Sequence, residues 1–259
     1  MTPARARIVV VGLLVVAAPM VALAGMLRPA WGRRAAAAAA RLGARLTGVR
    51  VNVVGPRPAA GPALVVANHS SPLDVVVLAI AEPDLRFVMA SDLLPGAARA
   101  VVERVLGMAS VDRRDPARGL GDLRRLATRF GAGRYAIFPE GAIAPAGGRL
   151  AFKTGPFDLA LRAEVPLVPV AIHGTSACLA PRGRLLVRPG VITVEYLDPV
   201  PTAGLGVRDR RTLRDRTEAA LLGALADADE GGPVPGRGVL PEVRGRGRVG
   251  SPPVQEDRN

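Results

Sequence analysis

The chain predicts an α/β domain: a mostly parallel or mixed central sheet flanked by helices, preceded by a membrane-anchoring helical segment at the amino terminus. Three observations carry this. From position 51 onward, short β-branched apolar runs alternate with helical patterns, which is how a sheet layered by helices reads in sequence. Residues 8–27 hold no charge at all. And 49% of the 259 residues are hydrophobic, enough to bury one large core with segments left over at both ends.

Taken in order, residues 8–27 come first. As a helix rising 1.5 Å per residue this segment spans about 30 Å, one bilayer core. A cleavable signal peptide is the rival reading, because Arg5 and Arg7 supply a basic start and Ala22-Leu23-Ala24 resembles a cleavage site. Downstream, Arg28, Arg33, Arg34, Arg41, Arg45 and Arg50 outnumber that basic pair, so the positive-inside tendency places the remainder of the chain on the cytoplasmic side of a cell membrane. Residues 30–47 are Ala-rich, with Arg34, Arg41 and Arg45 at helical spacing and Leu42 and Leu46 four apart. They read either as an interfacial helix on anionic lipid or as an ordinary surface helix.

Strands are expected at 51–54, 64–67, 87–90, 135–138, 167–172 and 191–197, and helices at 72–81, 96–106, 116–130, 152–163 and 208–228. The last stretch, 229–259, carries too much Gly, Pro and Arg to bury a core and reads as disordered. The organisation is therefore an anchor over 1–47, a domain over 48–228 and a tail over 229–259.

A net charge of +13 implies anionic partners. Aromatic residues are only 3% of the chain, too few to interleave with the basic residues as base-stacking platforms, and no nucleic-acid motif is present; membrane lipid or phosphate is favoured over nucleic acid. The single cysteine, Cys178, cannot form an internal disulfide and reads as a small buried hydrophobe. Lys153 is the only lysine in a chain that otherwise uses arginine.

Chemistry concentrates in a few stretches. Asn68-His69-Ser70-Ser71-Pro72-Leu73-Asp74 puts a histidine on a strand-to-helix turn beside a carboxylate, which suits a general base held in one tautomer. The same residues fit a capping box from Ser71 to Asp74, and the two readings can coexist. A metal site would need further His or clustered Cys, and neither is at hand. Tyr135-Ala136-Ile137-Phe138-Pro139-Glu140-Gly141 ends a second strand in a carboxylate, either a site residue or a solvated loop glutamate. Phe152-Lys153-Thr154-Gly155 opens a helix with a cation, suited to an anion or simply to solvent. His173 reads as a satisfied structural histidine.

In order, Asn68-His69-x4-Asp74, Gly107-Met108-Ala109-Ser110-Val111-Asp112-Arg113, Phe138-Pro139-Glu140-Gly141, Phe152-Lys153-Thr154-Gly155 and Val165-Pro166-Leu167-Val168-Pro169-Val170 resemble the motif blocks of glycerolipid acyltransferases of the 1-acylglycerol-3-phosphate acyltransferase (lysophosphatidic acid acyltransferase) type. The resemblance covers about residues 48–200. It implies transfer of a fatty acyl chain from acyl-CoA or acyl-carrier protein to a lysophospholipid hydroxyl, with these two thioesters as co-substrates and no other cofactor. His69 would be the base, Asp74 its support, Arg113 the acceptor-phosphate contact, Glu140 and Gly141 acceptor-site residues and Lys153 an anion contact. Two departures bear on the acceptor. Ala142-Ile143 stand where many members carry Thr-Arg, and Ser110 stands where an aromatic is usual. The alternatives are the same chemistry on another lysolipid or lipid-linked hydroxyl, and a non-catalytic basic protein binding membrane or nucleic acid. A serine hydrolase lacks its G-x-S-x-G elbow here.

Overall fold

The computed structural model describes residues 3–131, 133–145, 148–179 and 186–229. In chain order the elements are α1 (Pro3–Leu27), α2 (Pro29–Thr47), β1 (Val49–Val54), β2 (Ala63–Ala67), α3 (Leu73–Ala81), β3 (Arg86–Ala90), α4 (Gly96–Leu106), β4 (Ala109–Val111), α5 (Pro116–Thr128), β5 (Arg134–Ile137), α6 (Gly155–Ala163), β6 (Leu167–His173), α7 (Thr175–Cys178), β7 (Gly190–Tyr196) and α8 (Arg210–Asp229). The strands form one sheet in the order β1-β7-β6-β2-β5-β3-β4. All neighbours pair in parallel except β6 and β7, so β1 and β7 run against the other five. A mixed, mostly parallel sheet flanked by helices is what the alternating pattern predicts.

Strand β2 lies between β6 and β5, and Leu64, Val65, Val66 and Ala67 are wholly buried, as a strand covered on both faces requires. One face packs Val65 and Ala67 with Val77, Leu78 and Ala81 of α3. The other packs Leu64 and Val66 with Leu123 of α5, Phe157 and Leu161 of α6, and Leu213 and Leu221 of α8. Strand β4 escapes the sequence reading, because three residues are too short for a period of two to show. Position 229 closes α8, and the rest of the expected tail lies outside the described residues.

The amino-terminal segment departs from expectation. Among the described residues, no helix is long and apolar enough to cross a membrane. Helix α1 is instead half of a close-packed pair: a Cβ at Gly32 would come within 2.8 Å of the Gly25 Cα, and one at Gly25 within 2.3 Å of the Val105 carbonyl in α4. Protein thus covers one side of its carboxyl-terminal half, while Val15, Val16, Met20, Leu23, Met26 and Leu27 stay exposed.

Helix α2 forms over nearly the expected span, with its N-terminal Pro29 and an αL Gly48 at its end. Its basic residues are not all turned to lipid. Arg34 pairs with Asp84 at 2.9 Å, Arg41 donates to the Ile80 carbonyl at 2.8 Å and Arg33 to the Leu106 carbonyl at 3.1 Å. With Ala37 and Thr47 buried, α2 is a layer of the domain rather than a helix lying apart from it.

Candidate active site

The parallel strands β2, β5, β3, β4 and β6 all deliver their carboxyl ends to one edge of the sheet. In open α/β sheets this edge, where the strand order reverses, is where ligands bind. His69 follows β2, Glu140 and Gly141 follow β5, Asp92 follows β3, Arg113 follows β4 and Thr175 follows β6.

His69 Nδ1 lies 2.8 Å from Asp74 Oδ2. An ionised carboxylate only accepts, so Nδ1 carries the hydrogen and Nε2 keeps its lone pair. Asp74 is completely buried, in the first turn of α3. Its Oδ2 also accepts the backbone N–H groups of Ser70 and Ser71, each at 2.8 Å, and Oδ1 accepts the Thr175 hydroxyl at 2.5 Å. Four donors replace the water that this carboxylate loses on burial. The capping reading holds in half: Asp74 bonds back to the Ser71 N–H, but the Ser71 hydroxyl accepts from Leu73 and donates to the Leu179 carbonyl instead. One carboxylate both closes the helix start and orients the imidazole.

The imidazole lies nearly flat on Phe138, with ring centroids 4.0 Å apart and planes 15° from parallel. Its backbone is clamped too. The His69 N–H donates to Glu140 Oε1 at 2.9 Å and its carbonyl accepts from Ala144 at 2.9 Å. Glu140 therefore differs from the acceptor contact expected of it. Its second oxygen takes the Leu150 N–H at 3.3 Å, and the residue is only 6% exposed. It is a strut joining the β2 and β5 ends. Burial pushes its carboxyl above the ordinary glutamate value, partly offset by the His69 and Leu150 N–H bonds.

Arg113 is half-exposed and reaches Asp92 through Nε at 3.2 Å and Nη2 at 3.1 Å, while Nη1 donates to the Gly141 carbonyl at 3.2 Å. Arg114 shares the same carboxylate at 2.9 Å. The Arg113 bond, more than any other contact, holds the Asp92 carboxyl below its usual range. Gly141 has φ +72°, and Lys153 lies against it. Ser110, whose hydroxyl is buried without a partner among the described residues, lines a polar cavity of about 680 Å³ with Ser91, Arg99 and Arg118 at the outer edge of the sheet. That cavity is formed by residues other than the His69 cluster.

His69, Asp74, Glu140, Gly141, Arg113 and Lys153 thus meet along one edge. His173 pairs with Glu195 at 3.2 Å across β6 and β7, in keeping with a structural histidine. Sequence reasoning missed Thr175, which is wholly buried against Asp74. Its only signal is position: it follows the end of β6, which delivers residues to the same edge as β2. Asp92 was missed as well, for it stands in no recognised block.

Residues 49–173 match the family model described as Acyltransferase. The chain is 31% identical over 173 residues to the 1-acyl-sn-glycerol-3-phosphate acyltransferase of Salmonella typhimurium, an alignment covering 66% of this chain and 69% of that protein. The chain belongs to the 1-acyl-sn-glycerol-3-phosphate acyltransferase family. Identity to the mouse 1-acyl-sn-glycerol-3-phosphate acyltransferase alpha is 30% over 182 residues, covering 68% of this chain and 64% of the relative. The chain thus spans about two thirds of the length of the curated relatives it matches. The fold is shared with the crystal structure of the 1-acyl-sn-glycerophosphate (LPA) acyltransferase of Thermotoga maritima, at a TM-score of 0.63 and 24% identity, covering 78% of this chain and 81% of that one. Among these family members the carboxyl-edge cluster is the part of the fold with chemistry to perform.

Proposed function

We propose that the protein transfers a fatty acyl group from acyl-CoA or acyl-carrier protein to the free hydroxyl of 1-acylglycerol-3-phosphate, making phosphatidate. The observation that carries this reading is the His69–Asp74 pair, with Nδ1 fixed at 2.8 Å from the carboxylate and Nε2 left to face a substrate. His69 Nε2 takes the proton of the acceptor hydroxyl as its oxygen attacks the thioester carbonyl carbon. Asp74 stabilises the imidazolium that forms. The tetrahedral intermediate then expels the thiolate as the C–S bond breaks, and the imidazolium returns its proton to sulfur, leaving an ester and a free thiol. Neither a covalent acyl-enzyme nor a metal ion enters this route.

Arg113, at the carboxyl end of β4, is placed to meet the acceptor's anionic end, its charge shared with Asp92. The protein would act at a membrane surface, where its acceptor resides. The exposed apolar side chains of α1 and Trp31 at the start of α2 supply an apolar face, and the basic residues that follow α1 would keep the domain on the cytoplasmic side.

The test is direct. Full-length protein supplied with acyl-CoA and lysophosphatidate should form phosphatidate and release free CoA in equal amounts, and His69→Ala should reduce both to background. Undiminished turnover in that variant would overturn the mechanism. A second reading keeps the chemistry and changes the acceptor to another lysolipid, because Ala142-Ile143 leave no arginine after Glu140-Gly141. Comparing lysophosphatidate with lysolipids of other headgroups separates the two.

A further inference from the structure

The turn at Gly141 carries cations on both sides. From one side Arg113 donates to the Gly141 carbonyl at 3.2 Å. From the other, Lys153 lies across the glycine so closely that a Cβ built there would sit 2.7 Å from Nζ, 3.0 Å from Cε and 3.3 Å from Cδ. The Lys153 backbone is tied to the same turn, its N–H donating to the Pro139 carbonyl at 2.9 Å. The missing side chain at Gly141 therefore does two things: it allows φ +72° and it makes the bed in which the lysine stem lies.

The charges around this turn do not cancel. Arg113 and Arg114 share the single Asp92 carboxylate, and among the described residues Lys153 forms no ion pair. Both oxygens of the neighbouring Glu140 are engaged by backbone N–H groups rather than by Lys153. An excess of positive charge thus stands one residue from Glu140, which itself holds the backbone of His69. In a glycerol phosphate the acceptor hydroxyl and the phosphate are separated by two carbons and an ester oxygen, so base and cation must be neighbours in this way. Position 143, meanwhile, is isoleucine.

We infer that Lys153, with Arg113, grips a terminal phosphate on the acyl acceptor, doing the work of the arginine that Ile143 replaces. The acceptor class is then a lysolipid ending in a phosphomonoester, not one with a neutral or esterified headgroup. This rests on the acyl-transfer reading above and sharpens its acceptor.

The experiment uses full-length protein in detergent micelles with acyl-CoA and two acceptors, 1-acylglycerol-3-phosphate and the 1-acylglycerol that lacks the phosphate. Lys153→Met should raise KM for the phosphate-bearing acceptor roughly 10- to 100-fold, the weight of one charge-assisted hydrogen bond, with kcat changed less than about threefold. The preference between the two acceptors should narrow by the same factor. Adding Ile143→Arg to Lys153→Met should recover most of the lost affinity. Equal losses with both acceptors, a rise confined to the KM for acyl-CoA, or no recovery by the arginine would each overturn the inference. Equilibrium binding of labelled lysophosphatidate without any donor provides a second readout, in which unchanged affinity of Lys153→Met also overturns it. That arm decides the matter even if no acyl transfer occurs, an outcome that would refute the acyl-transfer reading on its own.

Discussion

Asp74→Asn separates charge from geometry at this site. In the native arrangement Asp74 Oδ2 takes three N–H donors, from His69, Ser70 and Ser71, while Oδ1 takes the Thr175 hydroxyl. Asparagine can keep its oxygen at the Oδ2 position and turn its NH2 toward Thr175. That hydroxyl then accepts, and passes its own hydrogen to the Ser70 oxygen 3.1 Å away. Every hydrogen bond survives and one buried charge disappears. The imidazole is neutral at rest, so the lost attraction matters once Nε2 has taken a proton, and it appears in the barrier rather than in binding. Two unit charges at 2.8 Å in an effective dielectric of about 20 attract by ~6 kcal/mol, equivalent to a rate factor near 10⁴, and residual solvent lowers this toward about 10². We expect kcat to fall by about 10² to 10⁴, KM for the acceptor to stay within about threefold, and the melting temperature to move by no more than about 4 °C. Initial rates of CoA release and a thermal melt on the same preparation measure all three. A variant within tenfold of the parent rate would refute the role assigned to the carboxylate, and a collapse in melting temperature would show that Asp74 serves the helix start more than the imidazole.

Three further expectations follow from the same geometry. Thr175→Val leaves Oδ1 buried without a donor and should lower kcat about 10- to 100-fold, while Thr175→Ser restores it; equal rates in the two variants, measured across pH, would remove Thr175 from the assembly. Because burial raises the Glu140 pKa, the folded state holds this proton more tightly than the unfolded chain. Stability should therefore decline as pH rises from about 4.5 to the raised value, and denaturant titrations of Glu140→Gln should lack that decline. Gly141→Ala combines a positive φ with a Cβ that meets Lys153 Nζ at 2.7 Å, so it should weaken lysophosphatidate use while leaving the core intact. A parent-like KM there would show that the lysine moves aside without cost.

Much of the fold is legible because its signals are local. The run Leu64-Val65-Val66-Ala67 reads as a strand buried on both faces, and it is the central one. Gly96–Leu106 is a helix over the span expected for it, ending at an αL Gly107. Where a segment's surroundings decide, reading fails. Residues 8–27 are apolar enough in sequence to suggest a span, yet the structure sets the helix against α2 and α4 through Gly25 and Gly32, a contact that no hydropathy pattern encodes. The arginines of α2 likewise look free in sequence and are bound to Asp84 and to carbonyls of α3 and α4 in the fold.

The sequence by itself determined the layered α/β class, the pairing of His69 with Asp74 and the order of the motif blocks, because each rests on residues close together in the chain or on periodicity. Only the tertiary structure decided the rest of the site. Thr175 stands 101 positions from Asp74, and Glu140 stands 71 from His69, yet both are in hydrogen-bonding contact. Parallel strands bring their carboxyl ends to a common edge whatever the sequence distance between them. That edge turned Glu140 from an expected substrate contact into a strut, and it set Lys153 beside Arg113 at a glycine that leaves room for both.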